Sequence, residues 1–359
     1  MNIIHCISAP AAGGAEIYVK DLALVMAQQG HSVHICFLSD AKDIGRDEGF
    51  EKLFLEELSH NNISFSFIGN DARKKPWKGV FHLRGLVKDL SADILHCHLY
   101  YAAIFSLAVG KVKVLYTHHN IVLGANRYIY KLLDFKVSAF IGICEACTDL
   151  LKSVTKKKVV KIDNAVNKDK LFLKESNEDL NSKGGKVKVV MVGGLIEQKN
   201  YSLVVEAASY LNDLDFEIII AGEGTLRTLI SKQIADLKLK NKIKLIGNCH
   251  NVPKLLAESD IFAMSSKWEG LPISLIEATL TGLPVLVTNV GGCAEVVDHC
   301  KNGLIIDELN SRSFSQGLRQ LIELKTDREN YSNNSLTLSE KYTIEFSVNK
   351  HLSTYENIL

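Results

Sequence analysis

The chain has 359 residues, long for one domain and comfortable for two, and its 47% apolar and 23% charged residues are ordinary for a globular fold. A formal net charge of +1 leaves no global electrostatic footprint for nucleic acid, so contact with an anionic surface has to come from a local patch. No apolar run approaches the ~20 residues needed to cross a bilayer, and the opening MNIIHCISAP reads as a strand without a basic signal region, so a cytoplasmic protein is expected.

Asn2 to Ser8 reads as a strand, APAAGGAE as a glycine loop and IYVKDLALVMAQQG as a helix stopped by Gly30, with a second strand over 31–39. This βαβ opening predicts a doubly wound α/β fold. GGAE is not G-x-G-x-x-G, which argues against a nicotinamide-dependent oxidoreductase. Gly13 and Gly14 would let backbone amides approach a phosphate or an acceptor hydroxyl closely.

ISFSFIG (63–69) alternates like a strand, and the segment from Arg73 to Lys88 that follows holds six basic residues and no acidic one. Its basic positions are interleaved with Trp77, Phe81, Leu83 and Leu86. The expected helix, basic on one side and aromatic and aliphatic on the other, suits either a solvated βα connection or peripheral contact with an anionic membrane. ADILHCHL (92–99) and KVLYTHHN (113–120) are two further strands ending in histidines. His96 and His98 share a strand face, yet no third metal ligand is placed by spacing. FIGICEACTDLL contains Cys144-x-x-Cys147, but no second pair stands at zinc spacing. Eight scattered cysteines, with Cys6, Cys36 and Cys97 inside apolar runs, suit buried thiols better than a disulfide framework. The polar stretch 175–186 reads as a linker.

A second repeat starts with VKVVMVGGLIEQKN (187–200) and a helix over about 201–211, and Lys199 at the end of its glycine loop can reach a diphosphate as a point charge. FEIIIAGEGTLRTLI gives strand, turn and helix with Glu223 between two glycines. In SSKWEGLPISLIEATLT (265–281), Pro272 suits a first helical turn and Gly282 a stop, which predicts a helix over 272–281. Glu269 falls in a Gly-Pro loop and Glu277 inside the helix, and at the helical rise per residue their eight-residue spacing separates the carboxylates by about 12 Å along the axis. That exceeds the roughly 5–10 Å of an acid and base gripping one glycosidic bond, and is about the length of a nucleotide diphosphate sugar. Free amides of Gly270, Leu271 and Ile273 between them would suit anionic oxygens.

Glu269, seven intervening residues and Glu277, followed by Gly291-Gly292 and Glu295, resemble the donor-site signature of GT-B glycosyltransferases, specifically family four. The likeness extends over nearly the whole chain. THHN resembles the family's T-x-H motif, and IDNAVN (162–167) stands where the family usually has P-N-G-V-D, matching at Asn164 and Val166. The family generally pairs an arginine with Lys199, and here Gly194 occupies the arginine position.

The resemblance implies a GT-B architecture, two Rossmann-like doubly wound domains facing a cleft. Residues 1–165 would form the acceptor-side domain, with a helix over 340–359 crossing back to it, and 166–339 the donor-binding domain. It implies a retaining glycosyltransferase that moves a sugar from a nucleotide diphosphate donor to a glycan or lipid-linked hydroxyl acceptor in cell-surface glycan synthesis (lipopolysaccharide, O-antigen or capsule), with no cofactor and no metal. Catalytic roles fall on His119, a neutral imidazole able to donate to a sugar hydroxyl or stabilise developing charge, and on Glu269, which would hold the sugar hydroxyls. Donor binding falls on Gly13, Gly14, Lys199, Glu223, Gly270, Leu271, Pro272, Ile273 and the ribose-binding Glu277, with the base near 247–252. Membrane contact through Arg73–Lys88 is kept because family members commonly act on lipid-linked acceptors. The alternatives are a nucleotide-sugar 2-epimerase of the same plan and a silent nucleotide-sugar-binding protein.

Overall fold

The structure is a computed structural model, and residues 1–173, 185–249 and 251–359 are described. Of the expected linker over 175–186, all but 185 and 186 lie outside the described residues. The chain forms two compact units, residues 1–166 with 343–359, and residues 167–342.

In the first unit the strands are β1 (Asn2–Ile7), β2 (Ser32–Phe37), β3 (Ser64–Phe67), β4 (Ile94–Cys97), β5 (Lys113–His118), β6 (Val137–Gly142) and β7 (Lys158–Lys161). They build one parallel sheet in the order β3-β2-β1-β4-β5-β6-β7. The helices between them are α1 (Gly14–Gln28), α2 (Glu48–His60), α3 (Pro76–Asp89), α4 (Tyr100–Ser106), α5 (Arg127–Leu133) and α6 (Glu145–Lys152), and α14 (Ile344–Glu356) completes the unit. Continuous apolar runs such as NIIHCI are what a parallel sheet covered on both faces requires. Cys6 stands in register with Cys36 and Cys97, all three buried and unbridged. α14 packs on α1, where the hydroxyls of Tyr18 and Ser347 lie 2.8 Å apart.

In the second unit the strands are β8 (Val187–Val192), β9 (Phe216–Ala221), β10 (Ile243–Gly247), β11 (Ile261–Met264), β12 (Val285–Thr288) and β13 (Gly303–Ile306), parallel in the order β10-β9-β8-β11-β12-β13. Its helices are α7 (Tyr201–Ser209), α8 (Arg227–Asp236), α9 (Val252–Ala257), α10 (Ile273–Thr281), α11 (Cys293–Cys300), α12 (Ser311–Glu323) and α13 (Lys325–Leu338). The strand order reverses between β1 and β4 in one unit and between β8 and β11 in the other. At such a reversal the loops after the two neighbouring strands run to opposite sides of the sheet, leaving a crevice beyond their carboxyl ends.

Three sequence readings need correction. The 272–281 helix is one residue shorter: Pro272 is its cap, in an extended conformation, and Gly282 closes it left-handed at φ 93°. Glu269 lies in the loop before the helix, as expected, but the Glu269 to Glu277 spacing is then part loop and part helix, so the 12 Å helical rise does not apply. In α3, Trp77 and Phe81 do not lie opposite the bases. They are 55% and 67% exposed on the same side as Arg84 and Lys88, while Gly79 and Leu83 pack inward.

Candidate active site

The crevice of the second unit is built by the loop after β8 and the loop after β11. Lys199 from the first places its Nζ 2.6 Å from Oε1 of Glu269 in the second, and both side chains are largely buried. The hydroxyl of Ser266 donates to the same carboxylate oxygen at 2.6 Å, and Gln198 Nε2 donates to Oε2 at 3.2 Å. A carboxylate offers about four acceptor positions, so three are taken and one on Oε2 remains for a ligand hydroxyl.

The surrounding backbone is fixed by hydroxyls of residues that the sequence reading passed over. Ser265 donates to the Lys199 carbonyl at 2.9 Å, Tyr201 to the Gly193 carbonyl at 2.8 Å and Thr288 to the Ser266 carbonyl at 2.7 Å. For Ser265 and Thr288 the signal was a small polar residue where an apolar strand ends; Tyr201, at the start of α7, gave none. Two glycines make room for the pair. Gly193 has φ 153°, and a Cβ there would come within 2.9 Å of the Lys199 stem. Gly291 has φ 51°, and a Cβ there would collide with the Glu269 carbonyl, so the Gly291-Gly292 turn is what allows the 269–270 loop to lie against it. Gly292 N–H then donates to the Gly270 carbonyl at 2.6 Å.

Beyond Gly270 and the buried Leu271 and Pro272, α10 begins at Ile273. The amides of Ile273 and Ser274 precede that of Leu275, the first to donate within the helix, to the Pro272 carbonyl at 3.2 Å, so they point out of the helix end. Leu271 has an interaction of its own and is not a free donor. Glu277, half-buried on α10, is likewise engaged.

Glu223 lies in the loop after β9, where its carboxylate pairs with Arg227 and a Cβ at Gly247 would come 3.0 Å from it. Its carbonyl accepts from the Leu195 amide at 2.9 Å. The Arg227 guanidinium reaches Glu223 and, at 3.4 Å, the Leu245 carbonyl of β10. A Cβ on Gly194 would meet its nearest neighbour, the Glu223 carbonyl, at 3.5 Å, an ordinary contact.

In the first unit, Gly13 caps α1 at φ −111° and Gly14 is exposed. The carboxylate of Glu16 already covers Gly13 and accepts from the Ser8 hydroxyl. An incoming anion at this helix start would have to displace that carboxylate. His119 follows β5, half-buried, with Nε2 3.0 Å from Nδ1 of His98. Burial lowers His119 to about 3 and its neighbour His118 to about 4, so both are neutral near pH 7. The third imidazole that spacing could not place beside His96 and His98 is His5, and nitrogens of the three lie within 4.8 Å of one another. Both nitrogens of His96 are engaged, with Tyr355 at 2.6 Å and Thr117 at 2.7 Å, so a metal there would have to break a bond.

The family models for glycosyl transferases group 1 and for glycosyltransferase family 4 match residues 173–337 and 12–170. The chain belongs to glycosyltransferase family 4. It is 27% identical over 353 residues to the Escherichia coli UDP-Gal:alpha-D-GlcNAc-diphosphoundecaprenol alpha-1,3-galactosyltransferase, covering 90% of this chain and 89% of that one. It is 23% identical over 370 residues to the N-acetyl-alpha-D-glucosaminyl L-malate synthase of Bacillus anthracis, covering 97% and 94%. Among solved structures, Anabaena HepE in complex with UDP superposes with a TM-score of 0.84 at 17% identity, covering 99% of this chain and 100% of that one. The fold of this family 4 member is thus the GT-B fold, as the resemblance implied. No helix among the described residues is long and apolar enough to cross a membrane.

Proposed function

We propose that this family 4 glycosyltransferase takes its sugar from a uridine diphosphate sugar and transfers it, with retention, to a hydroxyl of a lipid-linked diphosphate glycan at a membrane surface, in the assembly of a cell-surface polysaccharide. The observation that carries the reading is the buried Lys199–Glu269 pair at the strand-order reversal of the second unit. It sets a cation for a leaving diphosphate beside a carboxylate with one acceptor position left for a sugar hydroxyl. The amides of Ile273 and Ser274 add helix-end donors, and Glu277, further along α10, takes the ribose. His119, held neutral, donates to a sugar oxygen. Support comes from HepE, solved with UDP and with UDP-glucose, and from the Escherichia coli relative, whose acceptor is a diphosphoundecaprenol.

Membrane contact is assigned to α3, whose Trp77, Phe81, Arg84 and Lys88 form one exposed stripe, together with Arg73, Lys74 and Lys75 just before it.

The test is a thermal-shift screen of UDP-glucose, UDP-galactose and UDP-N-acetylglucosamine, followed by transfer to undecaprenyl diphosphate-linked N-acetylglucosamine and assignment of the anomer by NMR. A ligand at 100 times its Kd should stabilise by about 2.7 kcal/mol. Absence of both a shift and a product would sink the reading. Conversion of the donor without any acceptor would replace it with the epimerase.

A further inference from the structure

β1 and β4 are neighbours, with His5 in register with His96, and His98 returns to the same face just beyond β4. His98 Nε2 lies 3.0 Å from Nδ1 of His5, and His98 Nδ1 lies 3.0 Å from Nε2 of His119. Three imidazoles thus form an unbranched chain. The other groups around it are committed elsewhere. His96 is bonded at both nitrogens, Tyr18 is bonded to Ser347, and His351 Nδ1–H donates to the Ser347 carbonyl at 2.9 Å.

A neutral imidazole has one N–H and one lone pair, so His98 can donate at only one end and must accept at the other. Only two proton arrangements satisfy both contacts. In the first, His5 Nδ1–H donates to His98, His98 Nδ1–H donates to His119, and His119 carries its own proton on Nδ1. In the second every bond is reversed, and the leftover proton sits on His5 Nε2. Both terminal atoms, His5 Nε2 and His119 Nδ1, are shielded from solvent and have no partner among the described residues.

The two arrangements therefore differ in where they leave an unpaired N–H. The second puts it on His5, which is fully buried, and an orphaned buried donor is among the rarest and costliest features of a folded protein. The first puts it on His119, whose Nδ1 is likewise shielded but whose ring is only half-buried, so it is the end of the chain that a ligand oxygen can reach once the cover over Nδ1 yields. Burial, which lowers His5 and His119 to about 3 and His98 well below its ordinary value, keeps all three rings neutral, each with one N–H and one lone pair.

We propose that His5 and His98 are positioning residues that fix His119 as an Nδ1–H donor toward an acceptor oxygen of the bound substrate. The proposal rests on the assignment of His119 to the transfer reaction.

Nitrogen NMR of the full chain carrying ring-labelled histidine, with signals assigned through His119→Gln, reads the tautomer directly. The expected result is His119 protonated on Nδ1, reverting toward the Nε2–H form preferred in water in His98→Leu. In the same variants, UDP release from UDP-glucose, UDP-galactose and UDP-N-acetylglucosamine should fall about tenfold in kcat with KM little changed. His98→Gln, whose amide can accept from His5 and donate to His119, should recover most of it. His119 found as Nε2–H in the parent protein overturns the proposal, and so does an unchanged His119 tautomer in a folded His98→Leu. Stoichiometric zinc in the purified protein, bound through these lone pairs, overturns it as well. The parent spectrum decides even if His98→Leu fails to fold. If His119→Ala left UDP release intact, the role of His119 in transfer would fall while the tautomer result stood.

Discussion

Lys199 and Glu269 meet at 2.6 Å although they are 70 positions apart in the chain. They meet because β8 and β11, far apart in sequence, are adjacent at the point where the sheet order reverses. The contact holds the cation and the carboxylate of the proposed donor site together.

Removing one partner of this pair strands the other in a poorly solvated position. Lys199→Met should lower stability by about 3 kcal/mol and abolish UDP binding, whereas Glu269→Gln, which still accepts from Lys199 and Ser266, should cost clearly less. Urea unfolding and calorimetric titration with UDP check both. Equal losses in the two variants would show that the pair does not act as argued.

Gly194 has room for a side chain, since its nearest neighbour stands at 3.5 Å from a built Cβ and its φ is not positive. Gly194→Arg, restoring the family's usual residue, should tighten UDP by about 1–3 kcal/mol through charge-assisted bonds to the diphosphate. If Arg227 already serves that purpose, the gain should appear only in the Arg227→Ala background. Titration of the two single variants and the double variant separates these outcomes.

The first unit should be acid-sensitive. His5 and His119 are lowered to about 3 and His34, His118 and His351 to about 4, in each case chiefly by burial. Below about pH 6.5 the unfolded chain takes up protons that the folded chain refuses, so stability is complete above that value and declines as pH falls toward 4. The slope is about 1.4 kcal/mol per pH unit for each histidine that titrates independently. The chain has two tryptophans, Trp77 in the first unit and Trp268 in the second, so Trp268→Phe leaves a probe of the first unit alone. Its urea midpoint should drop between pH 7.5 and 5. A flat midpoint would contradict the burial argument.

Membrane contact through α3 should need both its rings and its charges. Trp77→Ser with Phe81→Ser, and separately Lys74→Glu with Lys75→Glu, should each weaken binding to phosphatidylglycerol vesicles at least tenfold, with the second effect vanishing at high salt. Lys78 is tied to Asp71, so Lys78→Ala should matter less. Unchanged vesicle cosedimentation in both double variants would remove α3 from the membrane.

What could be read from the sequence was what local pattern encodes. Apolar runs of strand length separated by helical periodicity gave two parallel sheets, and Pro272 and Gly282 located the ends of α10 to within one residue. The resemblance of Glu269, Glu277 and the Gly291-Gly292 turn to the family's donor-site signature was legible because these residues lie on one continuous stretch of chain. Everything that depends on strands adjacent in space but distant in sequence was settled only by the tertiary structure. That includes the Lys199–Glu269 contact, the pairing of Arg227 with Glu223 and the Leu245 carbonyl, and the alignment of His5, His98 and His119. Strand order in a parallel sheet is fixed by crossovers whose direction no local pattern records, so side chains brought together across a reversal are invisible until the sheet is assembled.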